Sequence, residues 1–157
     1  MLFRSIADGR GLAAALLLGA QGVWIGSLFL ATPEASLLDF QKDAIVEGDA
    51  DSTTVSRAWT GKPARVLRSK WTELWKSGDP EPLPMPFQQM ISWTVIAAAS
   101  VARRKDIAPG VAGQGIGLIR DIRPAAERVR RLLTEAERAL QSICPETGRD
   151  SKPNRAT

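Results

Sequence analysis

Residues 6–31, IADGRGLAAALLLGAQGVWIGSLFLA, decide how the rest of the chain is read. No charge falls between Arg10 and Glu34. One reading is a helix that crosses a membrane. The other is a helix, a turn and a buried strand. Gly11 to Pro33 is long enough to span a bilayer, and Arg4 and Arg10 precede it as basic flanks do. Against that, Asp8 sits in the basic flank, and Gly11, Gly19, Gln21, Gly22 and Gly26 dilute the apolar signal. The punctuation favours the second reading. Asp8 is a helix cap, Leu12, Leu16 and the alanines between them form helix, and Gly19 is placed to end it. Gly22-Val23-Trp24-Ile25-Gly26 is then an apolar run of strand size bounded by glycines. Helix, glycine and apolar strand in succession make an α/β unit whose strand is buried on both faces.

The composition sets outer limits. At 157 residues, 44% hydrophobic and 24% charged, the chain has the make-up of a soluble globular domain. The net charge of +4 is modest. Its basic clusters, Arg103-Arg104-Lys105, Arg128/Arg130/Arg131 and Arg149/Lys152/Arg155, carry few aromatics, so they read as solvated helix faces and a tail rather than a nucleic-acid surface. Cys144 is the single cysteine, which excludes an intrachain disulfide and suits a cytoplasmic protein. There is no histidine, so the commonest general base and zinc ligand are missing.

Outward from the opening stretch, Met1 to Ser5 reads as the end of a strand, and Ser27 to Ala31 as one helical turn. Thr32 and Pro33 read as cap and first residue of a helix with Leu37, Leu38, Phe40, Gln41, Ala44 and Ile45 on its apolar face. Thr53 to Trp59 is rich in β-formers, and Arg65 to Trp75 reads as a short helix. Four prolines between Gly78 and Pro86 make an extended connector. Phe87 to Arg104 is helical, with Phe87, Met90, Ile91, Thr94, Val95, Ala98, Val101 and Ala102 as its apolar side. Ala108 to Gly117 is glycine-rich. Pro124 to Ser142 is the clearest helix, with Val129, Leu132, Leu133, Ala136 and Leu140 on one face and a Glu127–Arg131 pair on another.

Few places can carry chemistry. The strand exit Trp24-Ile25-Gly26-Ser27 is one, because α/β proteins bind ligands at the C-terminal ends of their strands. Glycine lets a phosphate approach the backbone, and Ser27 adds a hydroxyl and an N–H at the start of a short helix. The turn Ser5 to Gly9 would supply the other half of such a site. Gly113-Gln114-Gly115-Ile116-Gly117 lacks a preceding strand and a following GKS or GKT, so it is a poor nucleotide fingerprint. It reads as a turn, or as a loop that closes over a site with Gln114 as its hydrogen-bonding side chain. Asp39, Glu47, Asp49 and Asp51 have no metal-ligand spacing. Ser5, Ser27 and Ser56 have no histidine to activate them, which excludes a serine triad. Trp59, Trp71, Trp75 and Trp93 read as core or interface residues.

The pattern IADGRGLAAAL (6–16) followed by LGAQGVWIGSLFLA (18–31) resembles the nitronate monooxygenase family, also called 2-nitropropane dioxygenases. The likeness continues through RAWTGKPAR (57–65), Pro84-Met85-Pro86 and Ala112-Gly113-Gln114-Gly115, and covers about residues 6 to 140. Flavin-dependent enoyl-ACP reductases share the first motif. The resemblance implies an α/β fold: the C-terminal part of an FMN-binding TIM (β/α)8 barrel, with a mainly helical subdomain. Residues 8–18 would follow strand seven, and 22–26 would be strand eight. It implies FMN as cofactor, with its phosphate at Gly26, Ser27, the backbone of Trp24 and Ile25, and Ser5. The family's glycine pair before the motif is Arg4-Ser5 here.

On this reading residues 1–35 end the barrel, 36–110 form the inserted subdomain, 111–145 hold the glycine-rich loop and a packing helix, and 146–157 are a disordered tail. A complete barrel needs about 250 residues. The chain is therefore expected to be a C-terminal fragment, without the family's catalytic histidine, and alone to show no turnover and weak or no FMN binding. The family reaction takes alkyl nitronates and O2 to a carbonyl compound and nitrite. A separately encoded N-terminal barrel half is the expected partner; neither nucleic acid nor membrane is. The rival readings are an enoyl-ACP reductase and a small membrane-anchored basic protein spanning at 11–33.

Overall fold

Asp8 starts the first helix. Its backbone is extended, and its Oδ1 accepts from the Gly11 N–H at 2.8 Å, which satisfies a free donor of the first turn. The helix, α1, runs Gly9–Leu17 in this computed structural model, which describes residues 5–143. The readings placed on Met1 to Arg4, on Cys144 and on the tail 146–157 lie outside the described residues. Gly19 ends α1 as its sequence suggests. It has φ +88°, and the Ala20 N–H reaches back to the Ala15 carbonyl at 3.0 Å.

Residues 22–26 form neither helix nor strand and pair with no strand among the described residues. Val23 and Ile25 pack on the core, while Trp24 between them is 79% exposed. The expectation of a strand buried on both faces is thus corrected: with no neighbouring strand, one face stays open. α2, Ser27–Leu30, follows as the expected single turn.

The next helix begins later than Thr32-Pro33 suggests. The Thr32 hydroxyl donates backwards to the Phe29 carbonyl at 2.9 Å, so it closes α2 instead of opening a new helix. α3 spans Asp39–Glu47, and Gln41 Oε1 accepts from the Leu38 N–H at its start. Phe40, Gln41 and Ile45 face inward as read, but Leu38 does not. A short 3-10 turn, Ala50–Ser52, leads into β1, Thr53–Ser56.

β1 pairs antiparallel with β2, Ala64–Leu67, with Thr53 opposite Leu67 and Ser56 opposite Ala64. The first part of the helix expected at 65–75 is therefore strand. Only α4, Lys70–Leu74, is helical, because Ser69 caps it: the Ser69 hydroxyl accepts from the Thr72 N–H, and the Thr72 hydroxyl from the Ser69 N–H.

α5, Phe87–Val101, forms where expected but turns its other side inward. Gln88, Ser92 and Ala99 are buried, while Phe87, Met90, Ile91, Trp93 and Val101 are exposed. Carbonyls at the hairpin turn explain it. Gln88 Nε2 donates to the Ala58 carbonyl at 2.9 Å, Gln88 Oε1 accepts from the Leu83 N–H at 3.0 Å, and the Ser92 hydroxyl donates to the Trp59 carbonyl. Buried polar backbone must be paired, and that requirement outranks the apolar stripe. Trp71 Nε1 shares the Ala58 carbonyl and meets Trp75 edge-to-face, so these two tryptophans are packed, whereas Trp93 lies on the surface.

The chain closes with α6, Ala125–Ile143, laid across α1. Leu132 and Ala136 join Leu12, Ala13, Leu28, Ile45, Leu67, Ile116 and Ile119 in one core. Val129 and Leu133 are exposed, so the buried stripe is narrower than the sequence suggests. Its ion pairs also fall one turn off the expected Glu127–Arg131. Arg123 pairs with Glu127, and Arg131 with Glu135. The helices cross closely at Gly9, whose N–H donates to Glu135 Oε2 at 3.1 Å. No helix among the described residues is long and apolar enough to cross a membrane.

Candidate functional site

Three segments meet at the N-terminal side of α1. Ser5 to Ala7 lead into α1, Trp24 to Ser27 lead into α2, and the glycine-rich loop passes beside both. Glycine is required where the loop comes closest: a Cβ at Gly115 would lie 2.7 Å from the Ser5 carbonyl oxygen. The Gly113 N–H donates to the Ser27 hydroxyl oxygen at 2.8 Å and fixes the loop to the start of α2. A fourth wall comes from β2, through Arg65.

Between these walls lies an open cleft of about 420 Å³. Trp24, Ile25, Gly26, Ser27 and Ser5 all line it, together with Arg65, Gly113 and Gly115. The five residues singled out as a phosphate site are thus brought together. Gln114 is not among them. It is exposed and borders a neighbouring depression with Asp49, Ala50 and Arg120.

Among the described residues, the cleft has no carboxylate in its lining. It offers two hydroxyls and one guanidinium, and a Cβ added at Gly26 would meet nothing within 4 Å, so the backbone there is open to a ligand. Ser5 has φ +64°, in the left-handed region that glycine adopts without strain. Ser5 thus has a glycine-like backbone and adds a hydroxyl. A donor-rich, acid-free cleft suits an anion. It holds no group suited to taking a proton from carbon.

Shifted acids lie elsewhere. Arg104 and Lys70 hold the Asp106 carboxyl well below the usual range, and Arg131 and the Gly9 N–H lower that of Glu135. Burial depresses the Arg128 guanidinium, which forms an ion pair with Asp121 at 2.8 Å and donates to the Ala31 carbonyl. These groups hold helices and turns in place. Among the described residues no His, Cys, Asp or Glu cluster could bind a metal ion.

Arg65 was not legible as a site residue. Its segment reads as helix from the sequence, and it becomes strand through pairing with β1. Once residues 64–67 are a strand, Arg65 belongs to the hairpin that walls the cleft.

Residues 5–135 match the nitronate monooxygenase family. The chain is 39% identical over 137 residues to the putative monooxygenase Rv1533 of Mycobacterium tuberculosis, covering 83% of this chain and 36% of that protein. It is 33% identical over 139 residues to the nitronate monooxygenase of Paraburkholderia phytofirmans, covering 88% of this chain and 38% of that one. Among solved structures, it is similar to nitroalkane oxidase from Streptomyces ansochromogenes, with a TM-score of 0.77 at 31% identity over 88% of this chain and 39% of that one. It is also similar to FabK from Thermotoga maritima, with a TM-score of 0.66 at 31% identity over 89% of this chain and 44% of that one. The fold is that of a part of these solved structures. The chain belongs to the nitronate monooxygenase family, and it spans well under half the length of these relatives.

Proposed function

We propose that this chain holds the phosphate end of FMN in a nitronate-oxidising enzyme of the TIM-barrel type, and that it works together with the barrel portion its relatives carry. The observation that supports this most is the acid-free cleft at Gly26-Ser27, with Ser5 in a glycine-like conformation opposite. These residues fit a phosphate: an open backbone at Gly26, hydroxyls at Ser27 and Ser5, and one positive side chain. FMN, when bound, supplies two-electron chemistry toward an alkyl nitronate and O2. This chain's residues bind and orient its phosphate. The general base of the reaction has to come from the remaining barrel portion, because the sequence has no histidine and the cleft no substitute.

The test pairs the purified chain with the separately expressed portion of the Paraburkholderia phytofirmans relative that precedes the matched region. The expected result is no nitronate-dependent O2 uptake by the chain alone, and uptake with FMN in the mixture. A mixture that stays colourless after gel filtration in FMN and consumes no O2 would overturn the proposal. A flavin-dependent enoyl-ACP reductase is the second reading, supported by the likeness to FabK. It predicts oxidation of NAD(P)H with an enoyl thioester in the same mixture and no response to nitronate.

A further inference from the structure

We infer that Arg65 is the residue that makes this cleft select a phosphomonoester, so that FMN is bound in preference to riboflavin; the inference rests on the FMN reading above. In the hairpin, Arg65 stands opposite Val55, two residues from the Leu67–Thr53 pair, so Arg65 and Thr53 lie on one face of the ladder. Thr53 is buried, and its hydroxyl donates to the Ala50 carbonyl at 3.1 Å. That leaves the oxygen lone pairs to accept from Arg65 Nη1, at 3.1 Å. The guanidinium is therefore pinned by one of its donors while the others remain for a ligand. Among the described residues Arg65 forms no ion pair, unlike Arg68, Arg104, Arg123, Arg128 and Arg131. It is half-buried, and among the described residues it is the one charged side chain lining a cleft whose other polar side chains are Ser5 and Ser27.

A solvated arginine that merely covers the hairpin needs neither a buried hydroxyl to hold it nor a place in a cleft without acids. A planar fork held still and left without a carboxylate matches the geometry of a phosphate dianion. Riboflavin, which ends in a hydroxyl, offers it no charge. β2 reaches the phosphate only through this side chain, so binding ties the hairpin to the segment Trp24 to Ser27.

The test uses the full chain and follows the amide signals of Gly26, Ser27 and Gly113 by NMR, which reads weak binding. The probes are FMN, riboflavin and inorganic phosphate. Wild type is expected to bind FMN more tightly than riboflavin and to bind inorganic phosphate. Arg65→Gln should lose roughly tenfold to a hundredfold of FMN affinity with riboflavin unchanged. Arg65→Lys should recover part of that loss. Thr53→Val, which removes the pin but keeps the charge, should give a smaller loss in the same FMN-to-riboflavin ratio. That ratio separates a ligand contact from a general loss of structure. An unchanged ratio in Arg65→Gln, whether both affinities stay or both fall, overturns the inference and leaves the FMN reading standing. A wild type that binds neither FMN nor inorganic phosphate overturns the inference, while the FMN reading is decided by the mixture with the barrel portion.

Discussion

Gly9 is the point of closest approach between α1 and α6, and replacing it with alanine probes how the two helices are held. A Cβ there would lie 2.2 Å from the Glu135 Cβ, 2.5 Å from the Ala136 nitrogen and 2.7 Å from the Glu135 carbonyl carbon. Comfortable contact between carbon atoms is about 3.5–4.0 Å. The atoms in the way are backbone and Cβ, which cannot rotate aside, so one helix must shift by more than about 1 Å. A shift of α6 carries Leu132 and Ala136 away from Leu12 and Ala13. It also lengthens the hydrogen bond from the Gly9 N–H to Glu135. Overpacking of this kind costs about 1–3 kcal/mol. The weakened hydrogen bond adds about 1 kcal/mol, and alanine's better helix propensity returns less than about 1 kcal/mol. The expected net loss is about 2–3 kcal/mol, a large share of an ordinary domain's stability. Urea unfolding followed by tryptophan fluorescence measures it. Gly22→Ala is the control, since a Cβ there meets nothing within 4 Å. The reasoning fails if Gly9→Ala lies within about 0.5 kcal/mol of wild type, or if Gly22→Ala is equally damaging.

Three further outcomes follow from the same coordinates. Glu135, depressed by its bond to Arg131 and by the Gly9 N–H, contributes stability above its ordinary value near 4.5 and loses it as pH falls through the lowered folded value. Unfolding midpoints measured from pH 7 down to pH 3 should therefore fall less steeply in Glu135→Gln, and an identical slope would count against this role. Gln88→Leu keeps the bulk but removes the buried hydrogen bond to the Ala58 carbonyl and the acceptor for the Leu83 N–H, which should cost about 2 kcal/mol in the same urea assay; no loss would mean that the inward polar face of α5 is incidental. Gly26 has a negative φ of −107° and open space beside it, so Gly26→Ala should leave the unfolding midpoint unchanged while reducing FMN binding by NMR titration; unaltered binding would remove Gly26 from the phosphate site.

The elements that the sequence announces are those whose signals are local. Asp8 and Gly19 mark both ends of α1 because a cap and a left-handed turn need nothing beyond a few neighbouring residues. The elements that escape it depend on distant partners. Arg65 to Leu67 becomes strand because Thr53 to Val55 lies beside it. α5 shows its polar side to the core because Ala58, Trp59 and Leu83 need partners. The same division runs through the cleft. Ser5, Trp24, Ile25, Gly26 and Ser27 flank α1 and α2 and are legible as a group, whereas Arg65 reaches the cleft across the hairpin and carries no local mark.

The hydroxyl of Ser27 has one proton and two lone pairs. The loop takes a lone pair, through the Gly113 N–H, and among the described residues nothing accepts the proton. An anion in the cleft would want that proton and nothing else from the hydroxyl. Loop and ligand therefore do not compete for Ser27: each polarises the oxygen–hydrogen bond in the sense that helps the other. Occupancy of the cleft and closure of the loop should then rise together, so that Ser27 couples two events through a single rotor.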